Sequence, residues 1–336
     1  MSRLTTNEGS TERRSRIPSA KLIATGAVTL GALSVTALAV TALASPALAA
    51  AAQESSGADV EQLSIWSAVI LGLVEGFTEY LPVSSTGHLL VTTEILGLAE
   101  TEASEQALDT YAICIQAGAI AAVFVLYWER IRQMLDGLLG RSEEGRRVLI
   151  GVIVAFIPTA IIGLALVDYV RDQLFGVTPI AAAWLVGGIG ILLLTRSGLM
   201  DRGGLELSEL TIKHALIIGV AQAIAMWPGT SRSLVTIVAA VLVGLSLRAA
   251  VEFAFLLGLA TLGAATVATG FTDGAQLVDL YGYTTPAIGM VVAFFAALIS
   301  IKWMVSWLQE RSFDVFGYYR VVIGVLAFAA IGIGWL

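Results

Sequence analysis

Glu75-Gly76-Phe77-Thr78-Glu79-Tyr80-Leu81-Pro82-Val83-Ser84-Ser85-Thr86-Gly87-His88 is a polar stretch, broken by proline and glycine, in a chain that is otherwise largely apolar. A second such stretch, Trp227-Pro228-Gly229-Thr230-Ser231-Arg232-Ser233, lies further along. Together they carry two carboxylates, four serines, a histidine and an arginine, with apolar sequence on both sides. An ionisable group at membrane depth costs roughly 2.5–3.5 kcal/mol even on the mildest insertion scale, so such groups mark function.

The flanking sequence identifies the solvent. Of 336 residues, 57% are hydrophobic and 13% are charged, against about 25% charged in a soluble domain. Mean hydropathy is +0.84. The chain therefore reads as an all-α polytopic membrane protein. Six stretches, about 111–128, 149–167, 179–197, 250–270, 286–308 and 318–336, approach the ~20 apolar residues that a spanning helix needs. Basic residues gather in the 129–148 loop (Arg130, Arg132, Arg141, Arg146, Arg147), the 196–213 loop (Arg196, Arg202, Lys213) and the 302–320 region (Lys302, Arg311, Arg320). The 94–110 and 271–285 loops have none, and 168–178 has only Arg171. The positive-inside rule puts the basic loops in the cytoplasm and both ends of the mature chain outside.

Residues 65–97 and 212–246 do not fit as simple spans. Leu81-Pro82 and Gly87 break the first, and Pro228-Gly229 breaks the second. Broken helices at membrane depth survive only where protein or a wet cavity surrounds them, so each segment is expected to form a re-entrant helical hairpin. The hairpins resemble each other. Gly72-Leu73-Val74-Glu75 matches Gly219-Val220-Ala221-Gln222, and Pro82-Val83-Ser84-Ser85 matches Pro228-Gly229-Thr230-Ser231. Each precedes three spans, giving repeat halves of about 62–198 and 210–336 within one membrane domain, 61–336. Three is odd, so the second copy enters from the opposite face: an inverted-topology repeat, whose broken segments meet near mid-membrane.

Chemistry follows from spacing. Glu75 and Glu79 lie one helical turn apart on one face. Their repulsion is relieved by a shared proton, a nearby cation or a hard divalent metal, and oxygen donors without thiolates favour Mg²⁺ or Ca²⁺. Ser84-Ser85-Thr86-Gly87-His88 sets hydroxyls three or four residues from an imidazole, at a turn into a helix whose N-terminus suits phosphate. Arg232 lies between apolar runs, keeps its charge and needs an anion, either the two glutamates or a phosphate. Ser231, Ser233 and Thr236 add hydroxyls around it. His214 reads as an interfacial or capping residue, Tyr80 and Trp227 as packing or interface residues, and Glu252 and Phe253 as candidates to line the cavity. The lone Cys114 excludes an internal disulfide and zinc–thiolate chemistry.

EGFTEYLPVSSTGH and PGTSRS, with the span pattern over residues 62–336, resemble the two signature motifs of the bacterial undecaprenyl-diphosphate phosphatase (bacitracin-resistance protein) family. The resemblance implies a plasma-membrane enzyme that removes the terminal phosphate of undecaprenyl diphosphate and so recycles the lipid carrier for cell-wall synthesis. It implies a metal and activity role for Glu75 and Glu79, a nucleophile at Ser85 and a base or acid at His88. Arg232 becomes the phosphate clamp, with Ser84, Thr86, Ser231, Ser233 and Thr236 as substrate-binding donors. The implied partners are the lipid substrate and membrane lipid, with bacitracin competing for that substrate, no nucleic acid, and the oligomeric state open. Two features depart from the family pattern. Leu234 stands where many members have glycine, and residues 1–60 extend beyond the usual family length.

That extension has a basic stretch (Arg13, Arg14, Arg16, Lys21), an apolar run from Leu22 to about Ala44, and Pro46 before Ala47-Leu48-Ala49. It reads as a signal peptide or an uncleaved anchor helix. Two mechanisms stay open: attack by Ser85, helped by His88, or attack by a metal-bound water with Ser85 orienting the phosphate. The site is expected to open outward. A polyprenyl-phosphate transporter on the same scaffold is the alternative function. The second histidine that PAP2-type chemistry needs downstream of Arg232 is absent from the sequence.

Overall fold

The computed structural model describes residues 63–98, 101–200 and 202–336, so the signal-like segment 1–60 lies outside the described residues. The helices of the first part are α1 (Ile65–Thr78), α2 (Ser85–Ile95), α3 (Glu102–Leu126), α4 (Trp128–Leu138), α5 (Glu143–Leu174) and α6 (Val177–Arg196). Those of the second are α7 (Ile212–Gln222), α8 (Arg232–Leu242), α9 (Leu247–Thr272), α10 (Gly274–Tyr281), α11 (Thr284–Glu310) and α12 (Asp314–Gly332).

Six of these helices, α3, α5, α6, α9, α11 and α12, are long and apolar enough to cross a membrane. They coincide with the six stretches read from the sequence, and the protein is a multi-pass membrane protein. The other apolar helices are half-length. At 1.5 Å per residue, α1, α2, α7 and α8 reach only about 16–21 Å, short of a hydrocarbon core about 30 Å thick. They form two helix–turn–helix pairs, α1–α2 and α7–α8, at the expected places.

Small residues seat these pairs against the long helices. A Cβ on Gly72 of α1 would come within 2.5 Å of the Gly289 carbonyl oxygen of α11. One on Gly219 of α7 would come within 2.2 Å of the Ala155 carbonyl oxygen of α5. Only glycine permits backbone approach this close.

The two turns share an unusual backbone. Ser84 caps α2 at φ 75° and accepts from the Gly87 N–H, and Ser231 caps α8 at φ 74° and accepts from the Leu234 N–H. Their spacing equals that of Gly72 to Gly219 and of Glu75 to Gln222. It is one residue longer than that of the two prolines, so by backbone role Pro82 pairs with Gly229 and Ser84, rather than Ser85, pairs with Ser231.

Two expected loops contain helices, α4 and α10. On α4, Arg130 bonds Glu144 at 2.6 Å and Glu252 at 2.5 Å. Arg320, counted above among the basic loops, is wholly buried inside α12. A count of basic residues cannot separate an arginine at a helix end from one aimed into the core.

Candidate active site

Glu79 is the residue at which α1 ends, Ser85 is the first residue of α2, and Arg232 is the first residue of α8. The hairpin turns bring all three together. Ser85 Oγ donates to Glu79 Oε2 at 2.5 Å, and Arg232 Nη2 donates to Glu79 Oε1 at 2.9 Å. The ion pair is largely buried, with 13% and 5% of the two side chains exposed, and it joins one hairpin to the other. Arg232 is held from other sides as well. Nη1 donates to the Ala254 carbonyl at 3.1 Å, and the guanidinium lies 5.4 Å from the centre of the Tyr80 ring. A Cβ on Gly258 would overlap the guanidinium. A charge confined in this way is preorganised for an anion.

One turn back, the Glu75 carboxyl packs against the side chains of Glu79 and Gln116, and one of its oxygens has no hydrogen-bond partner among the described residues. Two carboxyls face one guanidinium here, so one negative charge is left for a proton or a cation to meet. Gln222 holds the Glu75 position in the second hairpin. Its amide donates to Thr159 Oγ1 at 3.0 Å, which turns an unpartnered carbonyl oxygen the other way. Glu79, Ser85, Thr86, Gln116, Gln222 and Arg232 line one cavity of about 340 Å³.

A family model described as bacitracin resistance protein BacA matches residues 68–326, which include both hairpin turns. The chain belongs to this family. It is 40% identical over 265 residues to an undecaprenyl-diphosphatase of Sorangium cellulosum, covering 78% of this chain and 84% of the relative. It is 38% identical to an undecaprenyl-diphosphatase of Albidiferax ferrireducens, covering 78% and 93%. It is 34% identical over 276 residues to undecaprenyl-diphosphatase 1 of Acinetobacter baylyi, covering 82% and 99%.

In this BacA-family chain the structure brings Glu75, Glu79, Ser85 and Arg232 together but does not pair Ser85 with His88. His88 Nδ1 lies 2.6 Å from the Ser84 carbonyl oxygen, to which it can only donate. The other ring nitrogen, Nε2, is hydrogen-bonded to the Tyr319 hydroxyl, also 2.6 Å away. His88 faces a separate apolar cavity of about 540 Å³, walled by Trp184 and Tyr319. The group in contact with the Ser85 hydroxyl is Glu79.

The other expected donors divide. Ser84, Thr86 and Ser231 line the polar cavity. Ser233 and Thr236 do not. The Ser233 hydroxyl donates to the Leu81 carbonyl at 2.9 Å, tying the hairpins together, and Thr236 donates to the Arg232 carbonyl at 2.9 Å. Glu252 is bonded to Arg130 beside a different cavity, and Phe253 is fully buried in the core, so neither lines the site. His214 sits in the first turn of α7, where Thr211 is the cap, and Trp227 lines the cavity while donating to the Pro179 carbonyl. Gln116 and Thr159 also line it, and their one sequence signal is a polar side chain within an apolar span.

No three His, Cys, Asp or Glu side chains among the described residues are grouped closely enough to hold a metal by themselves. Mg²⁺ commonly sits on one or two carboxylates and completes its shell with substrate phosphate and water. The free oxygen of Glu75, one turn from Glu79, fits that mode.

Proposed function

We propose that this BacA-family protein is an integral membrane phosphatase of the plasma membrane. It hydrolyses undecaprenyl diphosphate to undecaprenyl phosphate and phosphate, recycles the lipid carrier for peptidoglycan synthesis, and confers resistance to bacitracin, which competes for the same lipid. The observation that carries this reading is the hydrogen-bonded chain Ser85–Glu79–Arg232 at the junction of two membrane hairpins. It joins a nucleophile, a base and a fixed cation in one small polar cavity. The names of the relatives agree with it.

The terminal phosphate meets the N-terminus of α2 and the Arg232 guanidinium, both suited to an anion. Ser85 Oγ attacks the terminal phosphorus while its proton passes to Glu79 Oε2, with which it is already hydrogen-bonded. The bridging P–O bond breaks, and its electron pair leaves with undecaprenyl phosphate, which takes the proton from Glu79. Water then cleaves the phosphoserine with Glu79 again as base, releasing phosphate and restoring Ser85. Arg232 neutralises charge on the phosphoryl oxygens throughout, the principal demand of phosphoryl transfer. Glu75 and Glu79 would hold a divalent cation, Mg²⁺ or Ca²⁺, whose charge when bound offsets that of the diphosphate.

The positive-inside pattern supports a cavity reached from the outer face, and the matched turn serines support an inverted repeat. The test is phosphate release from undecaprenyl diphosphate by purified protein in detergent, with Mg²⁺ and Ca²⁺ titrated. Release that is lost in Glu79→Ala and Arg232→Ala supports the reading, whereas no release by the native protein at any metal concentration overturns it. Ser85→Ala with near-normal turnover would replace the phosphoserine by direct attack of water.

A further inference from the structure

Arg320 is entirely buried, and its three hydrogen bonds among the described residues all run to main-chain carbonyls. Nη1 donates to Pro82 at 3.3 Å, and Nη2 donates to Ala183 and Gly229 at 2.8 Å each. Pro82 lies in the turn of the first hairpin, Gly229 in the turn of the second, and Ala183 on α6. The geometry repeats in the two hairpins. In each, the bonded carbonyl belongs to the residue two before the left-handed capping serine, and the reactive residue follows that serine: Ser85 in one, Arg232 in the other. A single guanidinium therefore spans the two turns that aim Ser85 and Arg232. Room for it is kept by Gly187 of α6, where a Cβ would stand 2.5 Å from Nη2. The Trp184 indole of the same helix donates to the Val83 carbonyl at 3.0 Å, fixing the first turn from that side.

We propose that Arg320 is a positioning residue for the phosphatase reaction: it sets the first residues of α2 and α8, and with them Ser85 and Arg232, in mutual register. Lysine keeps the charge but concentrates its donors on one atom, and cannot reproduce a fork that spans two turns and a helix. An error of about 1 Å in placing reacting groups costs about 10²-fold in rate. Arg320→Lys should therefore lower kcat by about 10²-fold and change KM by less than about threefold, because Arg232 is still present to bind phosphate.

The kinetic part of the experiment rests on the phosphatase reading, so a second part is independent of activity. Gly187→Ala displaces the guanidinium without removing it, while Gly190→Ala, on the same helix with open space at its Cβ, is the matched control. Nitroxide labels at Thr86 and at Ile224, which is 61% exposed, would report the distance between hairpins by pulsed electron resonance in a Cys114→Ala background. The expected result is a shifted or broadened distance in Arg320→Lys and Gly187→Ala, native behaviour in Gly190→Ala, and a kcat loss in unlabelled protein that follows the distance change. An unaltered distance in Gly187→Ala overturns the proposal, as does an altered distance with native kcat. Should Arg320→Lys not fold, Gly187→Ala decides alone. If native protein releases no phosphate, the phosphatase reading fails while the distance measurement still judges the pin.

Discussion

Ser84 and Ser231 adopt the same left-handed backbone, φ 75° and 74°, and each accepts the N–H three residues on. Such a conformation strains a residue with a Cβ, and the hydroxyl cap offsets part of that strain. Glycine removes the strain and the cap together, whereas alanine removes only the cap. Ser231→Gly should therefore stay within about 0.5 kcal/mol of native stability, and Ser231→Ala should lose about 1 kcal/mol. Thermal midpoints in one detergent check the order. A glycine variant less stable than the alanine variant would show that the left-handed backbone at this position carries no such strain.

Glu79 holds one oxygen on Ser85 and the other on Arg232, so removal of its charge affects the base and the clamp together. Positioned general bases contribute typically 10²–10⁴-fold. Glu79→Gln is nearly isosteric and should lower kcat by at least 10²-fold while the protein still purifies as a folded species. Phosphate release under saturating lipid measures this. Retention of more than about a tenth of native kcat would assign the proton to another group.

Tyr319 and His88 form a prediction in the other direction. The His88 ring is held by the Ser84 carbonyl and the Tyr319 hydroxyl and faces the apolar cavity rather than the polar one. Loss of one buried hydrogen bond costs about 1 kcal/mol, more where the partner left behind is unsatisfied. Tyr319→Phe should therefore reduce stability by about 1–3 kcal/mol and leave kcat within about threefold. A kcat loss of a hundredfold in folded Tyr319→Phe would return His88 to the chemistry.

Depth was legible in the sequence and direction was not. The runs that became α3, α5, α6, α9, α11 and α12 could be read from length and apolarity alone, and Pro82 and Pro228-Gly229 marked the breaks. Glu75, Glu79, Ser85 and Arg232 stood out because ionisable and nucleophilic groups are rare at that depth. Spacing could not say which way a side chain turns within its helix. His88 sits three residues after Ser85, yet its ring goes to Tyr319 on α12, a partner remote in sequence. Arg320 resembled a loop charge for the same reason: its acceptors are carbonyls on three other segments, and carbonyls carry no sequence signal. The helix α4 was hidden by the charges of its exposed face, although Ile131 and Gly137 are buried on the other.

The Tyr80 ring supports Arg232 from below, with the guanidinium 5.4 Å from its centre, and meets Phe255 edge-on at 5.3 Å. A cation over a desolvated aromatic face is stabilised by up to about 2 kcal/mol. The buried hydroxyl of Tyr80 makes no hydrogen bond of good geometry among the described residues, whereas its ring faces the guanidinium. Tyr80→Phe keeps the ring and should match native kcat/KM within about twofold, with equal or slightly higher stability. Tyr80→Leu fills much of the same space but offers the guanidinium no π face. It should lower kcat/KM by about tenfold, near 1.4 kcal/mol, chiefly by letting Arg232 leave the line between Glu79 and the phosphate. Steady-state kinetics of the two variants side by side measure the difference, and equal losses in both would move the contribution from the ring to the hydroxyl.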